Sequence, residues 1–509
     1  MDSPIVTQLF RQLFRHSKCP SRRNLAALTT CLQHGRRMQL YHQQQRRGMA
    51  TRDFQRGAKN NSPVKGAEWQ QRTEVLTLDM AEEYKRYPMV TANELRGRRE
   101  RPRRVKMLMR DFIEDSLYNP HYGYFSKQVV IFSPGEPFNF NALPDEPAFH
   151  NLLGRRYTEF EDELDAQEHD DTRQLWHTPT ELFRPYYGEA VARYLMSNYI
   201  MSTYPYHDLI IYEMGAGRGT LMLNILDYIR DVEPSVYDRT KYKIIEISPS
   251  LAALQGAQLL KGAAAGRGHA DKVEIINKSV FDWTERVSSP CFFLAMEVFD
   301  NFAHDVVRYD LATEEALQGT VLIDSEGDFH EFYERALDPV AARYLRVRHA
   351  ATGGRYPVPY SPSRALRWLK GLRPLAPNLS DPEYLPTRLM QFFDILERYF
   401  PAHRLLTSDF HTLPDAIKGL NSPVVQTRYQ RRMVPVTTPL VHQGYFDILF
   451  PTDFRIMEAV YGAMTGKLTR VMSHESFMHS WAYVEDTETR SGENPLLNWY
   501  KNASVMVTV

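Results

Sequence analysis

From Leu209 to Tyr212 an apolar, β-prone run is bounded by polar residues, and beyond a glycine-rich step Leu221, Ile225, Tyr228 and Ile229 recur at helical spacing. The pattern predicts a buried strand that turns directly into an amphipathic helix. Downstream the alternation repeats. Tyr242–Ile247 predicts a second strand, and Ser248-Pro249 opens a helix with Leu251, Leu254 and Leu259 on its buried face. Val273–Asn277 predicts a third strand, and Cys291–Met296 is a continuous apolar run suited to the centre of a parallel sheet. Asp305–Asp310 and Gly319–Tyr333 predict antiparallel strands, Met390–Tyr399 an amphipathic helix and Arg404–Phe410 a late strand. Strands alternating with helices predict an α/β fold. Ahead of this core, Met109, Phe112, Ile113 and Leu117 share one helical face that Asn119-Pro120 ends, and Gly123 permits a turn among Tyr122, Tyr124 and Phe125. Between Asp145 and Asp171 acids dominate, which predicts a solvated loop, or alternatively a lure for a basic target.

Candidate chemistry begins at the first glycine step. Gly215, Gly217 and Gly219 remove the Cβ atoms that would hold a ligand off the backbone at the helix start. Nucleotide-binding folds of several kinds use such a turn after a first strand, and a turn that only lets strand and helix pack closely is the plain alternative. The dinucleotide fingerprint has glycine at its sixth position, where this chain has Thr220, which weakens an oxidoreductase reading. Glu213 stands two residues before the first glycine. A carboxylate there repels a pyrophosphate and suits a cationic, phosphate-free ligand such as S-adenosylmethionine. Glu246, closing the second strand, can accept from both hydroxyls of a ribose, or can serve as a helix-start carboxylate. Glu297 and Asp300 follow the Cys291–Met296 run, and ligands in open α/β sheets sit beyond the carboxyl ends of strands. Both are therefore candidates to face the reacting group, the alternatives being a cap on the following turn or a pairing with Arg308.

The residues Glu213–Gly219 resemble motif I of the seven-strand class I methyltransferases, E-x-G-x-G-x-G, and EMGAGRGTLM resembles more narrowly the MidA-type family of mitochondria and bacteria. Other stretches carry the likeness further. HTPTELFRPYYGE keeps Thr178-Pro179, Glu181 and Gly188-Glu189 of a run that lies against the cofactor in that family, and EISPSLAALQ is similar to its E-x-S-P-x-L-x-x-x-Q. Met296 stands where the family's N-E-F-F-D-A begins with asparagine, but both carboxylates remain. Asp409-Phe410-His411 departs from a D-Y-G step, which raises His411 as an alternative base, and Gly444–Ile448 resembles P-G-x-x-D-I. PVVQTRYQRRMVPV departs from the pattern of arginine-methylating members. The resemblance implies a class I, Rossmann-like seven-strand fold with an amino-terminal helical extension and a helical insertion after the fourth strand. It also implies S-adenosylmethionine as cofactor, with Asp282 beside the adenine, and protein arginine in a mitochondrial complex I subunit as acceptor. On that reading Glu297 and Asp300 hold the guanidinium and take up its proton. A non-catalytic S-adenosylmethionine-binding assembly chaperone is the alternative.

Composition narrows the partners. The 509 residues have a formal net charge of zero and are 43% hydrophobic, enough for one large or two ordinary cores and no support for nucleic-acid binding. Of three cysteines, Cys19 and Cys31 fall in a leader rich in Arg, Gln, His and Ser, so neither a disulfide framework nor a metal cluster is expected. That leader, about residues 1–60, reads as a mitochondrial transit peptide directing the chain to the matrix. No apolar run approaches a transmembrane span. The expected division is leader to 60, helical and acidic region 61–205, cofactor core 206–338, helical insertion covering the substrate 339–400, and sheet completion 401–509.

Overall fold

Apolar runs alternate faces in the computed structural model, which describes residues 80–127, 129–264, 268–371 and 377–509. The expected leader lies outside the described residues. Strands β1 (Leu209–Met214), β2 (Thr240–Ile245), β3 (Val273–Ile276), β4 (Cys291–Met296), β5 (His403–Phe410), β6 (Thr469–Ser473) and β7 (Ala503–Thr508) form one sheet in the order β6-β7-β5-β4-β1-β2-β3. From β5 through β3 the neighbours are parallel, and β7 runs antiparallel to both β5 and β6. The strand order reverses at β1 and β4, which is where an α/β sheet opens a crevice.

Two helical layers cover the sheet, which explains why its central strands read as unbroken apolar runs. Leu209, Ile211, Phe292 and Leu294 face the helices Tyr186–Ser202 and Thr220–Val232, whereas Tyr212, Met214, Phe293 and Ala295 face Thr387–Tyr399 and Phe454–Thr465. The period of two along each strand sorts these residues. β2 begins two residues before the expected start and stops at Ile245, because Thr240 and Lys241 still pair with Leu209 and Ile210 while Glu246 turns back to accept from the Ser248 N–H.

A second sheet joins Val105–Leu108, Ala316–Ile323, Asp305–Tyr309 and Glu383–Leu385, with Phe329–Glu334 paired on Ala316–Ile323, all antiparallel. A third consists of Val424–Tyr429, Arg432–Val436 and Asp447–Leu449. The expected amphipathic helix is Met109–Tyr118; its Phe112, Ile113 and Leu117 pack with both smaller sheets. The turn after it meets Gly444, where a Cβ would fall 1.6 Å from the Tyr122 carbonyl oxygen and φ is +84°, so only glycine suits the position.

One expectation is overturned. The acidic run is no solvated loop but the helix Glu146–Gln167, capped by Asp145 accepting from Ala148 N–H. Phe149, Leu153 and Tyr157, four residues apart, bury one face that the acid count conceals. The acids are turned on the chain's own arginines. Glu161, 4% exposed, holds the buried Arg428 in a two-point pair, and Arg431 binds Asp162 and Asp165. The helix thereby clamps the third sheet. Removing one partner of a buried pair strands the other charge, so Glu161→Ala is expected to cost about 3–5 kcal/mol in denaturant unfolding. Asp162→Ala, at an exposed pair, should cost under about 1 kcal/mol in the same measurement.

Candidate active site

Between β1 and β4 the crevice widens into a cavity of about 360 Å³. Its floor is the glycine bend. Gly215, Gly217 and Gly219 have φ of +71°, +54° and +79°, left-handed values that side chains resist. A Cβ on Gly217 would stand 2.8 Å from Ile131 Cδ1, and one on Gly215 3.2 Å from Val298 Cγ2. Thr220, in the place of the missing sixth glycine, donates to the buried Glu181, so the Thr-Pro-x-Glu stretch is tied to the bend.

Glu213, 3% exposed, accepts from Tyr242 Oη at 2.8 Å. Burial, reinforced by the charge of Glu246, raises its carboxyl to about 7. Glu246 is equally buried, one oxygen accepting from the Ser248 N–H at 2.9 Å and the other from Gln255 Nε2 at 3.0 Å. A carboxylate has about four acceptor positions, so each oxygen keeps one for a ligand hydroxyl. Gln255 also donates to the Gly217 carbonyl at 2.9 Å and thus ties the bend to the second strand's acid. Asp282 is not brought in. It is exposed and its Oδ2 pairs with Arg96 Nη1 at 3.0 Å, because the short turn Val280–Asp282 spends its inward positions on Val280 and Phe281, which line the cavity instead. Trp283 is core, packed edge-to-face on Tyr212 and at a tilt on Phe400.

Across the cavity, Glu297 and Asp300 do come together. Glu297 has φ +54°, an uncommon conformation for a side-chain-bearing residue, and its N–H donates to the Ser408 carbonyl at 2.8 Å. Two carboxylates not among the sequence candidates join them. Asp409, fully buried at the end of β5, accepts from the Phe299 N–H at 2.8 Å and the Asp300 N–H at 3.3 Å. Asp447, from the third sheet, accepts from Asn301 Nδ2 at 2.9 Å. Burial pushes Glu297 and Asp300 well above the usual carboxylate range, with Asp409 adding to both and Asp447 to Asp300. Burial alone carries Asp447 up to about 7. Asp300 Oδ1 is buried with no hydrogen-bond partner. Among the described residues no cation forms a salt bridge with any of the four, and no group of metal-binding character is found. Arg308 lies elsewhere, over the Tyr333 ring, and His411 bonds Ser504 Oγ outside the cavity lining. In the sequence Asp409 showed only within the Asp409-Phe410-His411 step, Asp447 within the Gly444–Ile448 likeness and Gln255 within the EISPSLAALQ likeness, none of them as a candidate for the site.

The expected cover is also corrected: no described residue from 339–400 lines the cavity. That segment packs under the opposite face of the sheet, its helix Thr387–Tyr399 supplying Phe392, Phe393 and Leu396 to the core there. The walls come instead from Tyr118, Phe125, Ile131 and Trp176 on one side and Gln426, Met433 and Leu449 on the other.

Comparison with known proteins places this geometry. A family model described as "Putative S-adenosyl-L-methionine-dependent methyltransferase" matches residues 190–472. A Schizosaccharomyces pombe protein named "Protein arginine methyltransferase NDUFAF7 homolog, mitochondrial" is 24% identical over 386 residues, 74% of this chain and 80% of the relative. A Saccharomyces cerevisiae protein of the same name is 22% identical over 351 residues, 64% of this chain and 78% of the relative. A Burkholderia thailandensis protein solved with S-adenosyl-homocysteine bound aligns at a TM-score of 0.49 and 17% identity, covering 79% of this chain and 87% of that one. With more than half of its length matched by the family model, the chain belongs to this S-adenosyl-L-methionine-dependent methyltransferase family.

Proposed function

We propose that the chain methylates arginine side chains of a protein substrate in the mitochondrial matrix, a subunit of respiratory complex I being the target that the sequence resemblance implies. The names of the two yeast relatives support arginine and mitochondria. The observation that carries the acceptor is the cluster of Glu297, Asp300, Asp409 and Asp447, buried together with no ion pair to a cation among the described residues. A guanidinium is a planar cation with a fork of donors, and two carboxylates hold it at two points each. We read β6-β7-β5-β4-β1-β2-β3 as the class I methyltransferase sheet, with 206–338 as its cofactor half and 401–509 completing it.

The residues present fit the cofactor. A bend with glycine at every second position lets an adenosyl group lie close to the backbone, Glu246 keeps an acceptor position on each oxygen for the ribose, and Phe281 and Val280 offer an apolar wall for the base. Glu213 supplies negative charge toward a cation. When bound, S-adenosylmethionine supplies an electrophilic methyl group on sulfur. The chain's part is alignment and proton handling. Asp300, with its free oxygen, orients the guanidinium, and Asp409 fixes the turn that carries it. As the nitrogen–carbon bond forms and the sulfur–carbon bond breaks, Glu297 takes the proton that the nitrogen loses.

Purified protein supplied with labelled methyl donor and mitochondrial extract should yield methylarginine on acid hydrolysis of the product; label recovered only on other residues would refute arginine as acceptor. Glu297→Gln should keep S-adenosylhomocysteine binding while transfer falls by about 10²-fold or more. Affinity for S-adenosylmethionine should fall as pH drops below 7. Glu213 is raised to about 7, its protonated form dominates below that, and a ligand cation favours the ionised form. Calorimetric titration should show a loss approaching about tenfold per pH unit, flattened in Glu213→Gln. In the free protein the sign is opposite: the native state keeps a proton that the unfolded chain releases at its ordinary value. The carboxyl's contribution to stability is therefore complete below 4.5 and lost as pH rises to about 7.

A further inference from the structure

Within the segment that fails to cover the cavity, the helix Arg364–Gly371 is turned inside out. Along the sequence Arg364, Arg367 and Lys370 recur at every third position with Ala365, Leu366, Trp368 and Leu369 between them, a spacing that separates basic from apolar positions on a helix. A helix resting on a protein core ordinarily buries its apolar face. Here Arg367 is the residue that goes in, 7% exposed. Its guanidinium pairs with Glu314, donates to the Leu311 carbonyl at 3.2 Å and to the Ser361 carbonyl, and lies 5.3 Å from the centre of the Tyr360 ring. Leu366, Trp368 and Leu369 are left 52%, 65% and 54% exposed. Rolling the helix to bury them would strip Arg367 of all these partners, so the exposure is built into the fold.

We propose that this face docks on an anionic lipid bilayer, with Leu366, Trp368 and Leu369 inserted at the level of the headgroups. Trp and Leu above a basic flank are the composition of an interfacial helix. The charge agrees: from Arg355 to Ser380 the sequence has no acid, and with Arg367 spent on Glu314 it still has Arg355, Arg364, Lys370 and Arg373, in a chain whose net charge is zero. Anionic lipid attracts such a local excess. A protein partner fits less well, since three side chains on two helical turns fall far short of the roughly 1,200 Å² that a stable protein interface buries. Among the described residues no helix is long and apolar enough to cross a membrane, so the contact is peripheral. No described residue of the helix lines the cavity.

Flotation of the full chain with phosphatidylcholine vesicles containing about a fifth cardiolipin, beside vesicles of phosphatidylcholine alone, tests the assignment. The unsubstituted chain should float with the anionic vesicles, and Leu366→Ser with Trp368→Ser and Leu369→Ser should lose about tenfold or more of that partition. Trp368→Ser alone, at a site too exposed to threaten folding, should lose several-fold. All three proteins carry the same amino-terminal stretch, so their difference reads the helix and not the leader. Methyl transfer to a soluble acceptor should be equal in all three. Absence of flotation, equal flotation of substituted and unsubstituted chains, or equal binding to neutral vesicles would overturn the proposal. Capture of a protein by this face in the absence of vesicle binding would overturn it too.

Discussion

Bringing Glu297, Asp300, Asp409 and Asp447 to one place inside the protein costs free energy in either protonation state. Ionised, they repel across a medium that screens poorly; protonated, they hold protons that water would take. Among the described residues the chain offers the group backbone N–H donors and an asparagine amide but no ion pair with a cation. A bound guanidinium removes much of that cost at once, and the charge it brings also lowers the carboxyls toward the ionised form that can accept a proton. Recognition and proton uptake are then two consequences of one electrostatic imbalance.

The imbalance survives because each acid is held by a different part of the fold. Glu297 and Asp300 follow β4, Asp409 ends β5 and Asp447 comes from the third sheet. That sheet is in turn fixed by the Glu161–Arg428 pair and by the contact of Gly444 with the Tyr122 carbonyl. A helix whose acids resemble a solvent-facing run is thus part of the scaffold for a buried site whose Asp447 lies more than two hundred residues later. On the cofactor side Gln255 does comparable work, bonding both Glu246 and the glycine bend, so neither can shift alone.

The same asymmetry separates the two surfaces of the protein that look outward. At the cavity, negative charge is concentrated and awaits a cation. On the helix Arg364–Gly371, one arginine is satisfied inside so that apolar side chains are kept outside. Both depart from the ordinary rule that charges are paired and apolar groups covered, and both are stable only because neighbouring elements over-determine them.

Local pattern was enough for the central strands, the glycine bend and the positions of Glu213, Glu246, Glu297 and Asp300, because period and turn chemistry act over a few residues and strand ends point to one side of a parallel sheet. It failed where the deciding contact is remote. The helix Glu146–Gln167 read as a loop because its acids crowd between Glu159 and Asp165 and mask the apolar spacing, and their partners Arg428 and Arg431 lie far along the chain. Asp282 turned outward to meet Arg96, a choice made by a three-residue turn that composition does not encode. Asp409 and Asp447 joined the site through sheet pairings of long sequence separation. Spacing along a chain reports which residues share a face; which faces meet, and whether a charge finds its partner there, depends on packing between segments that sequence order does not bring together.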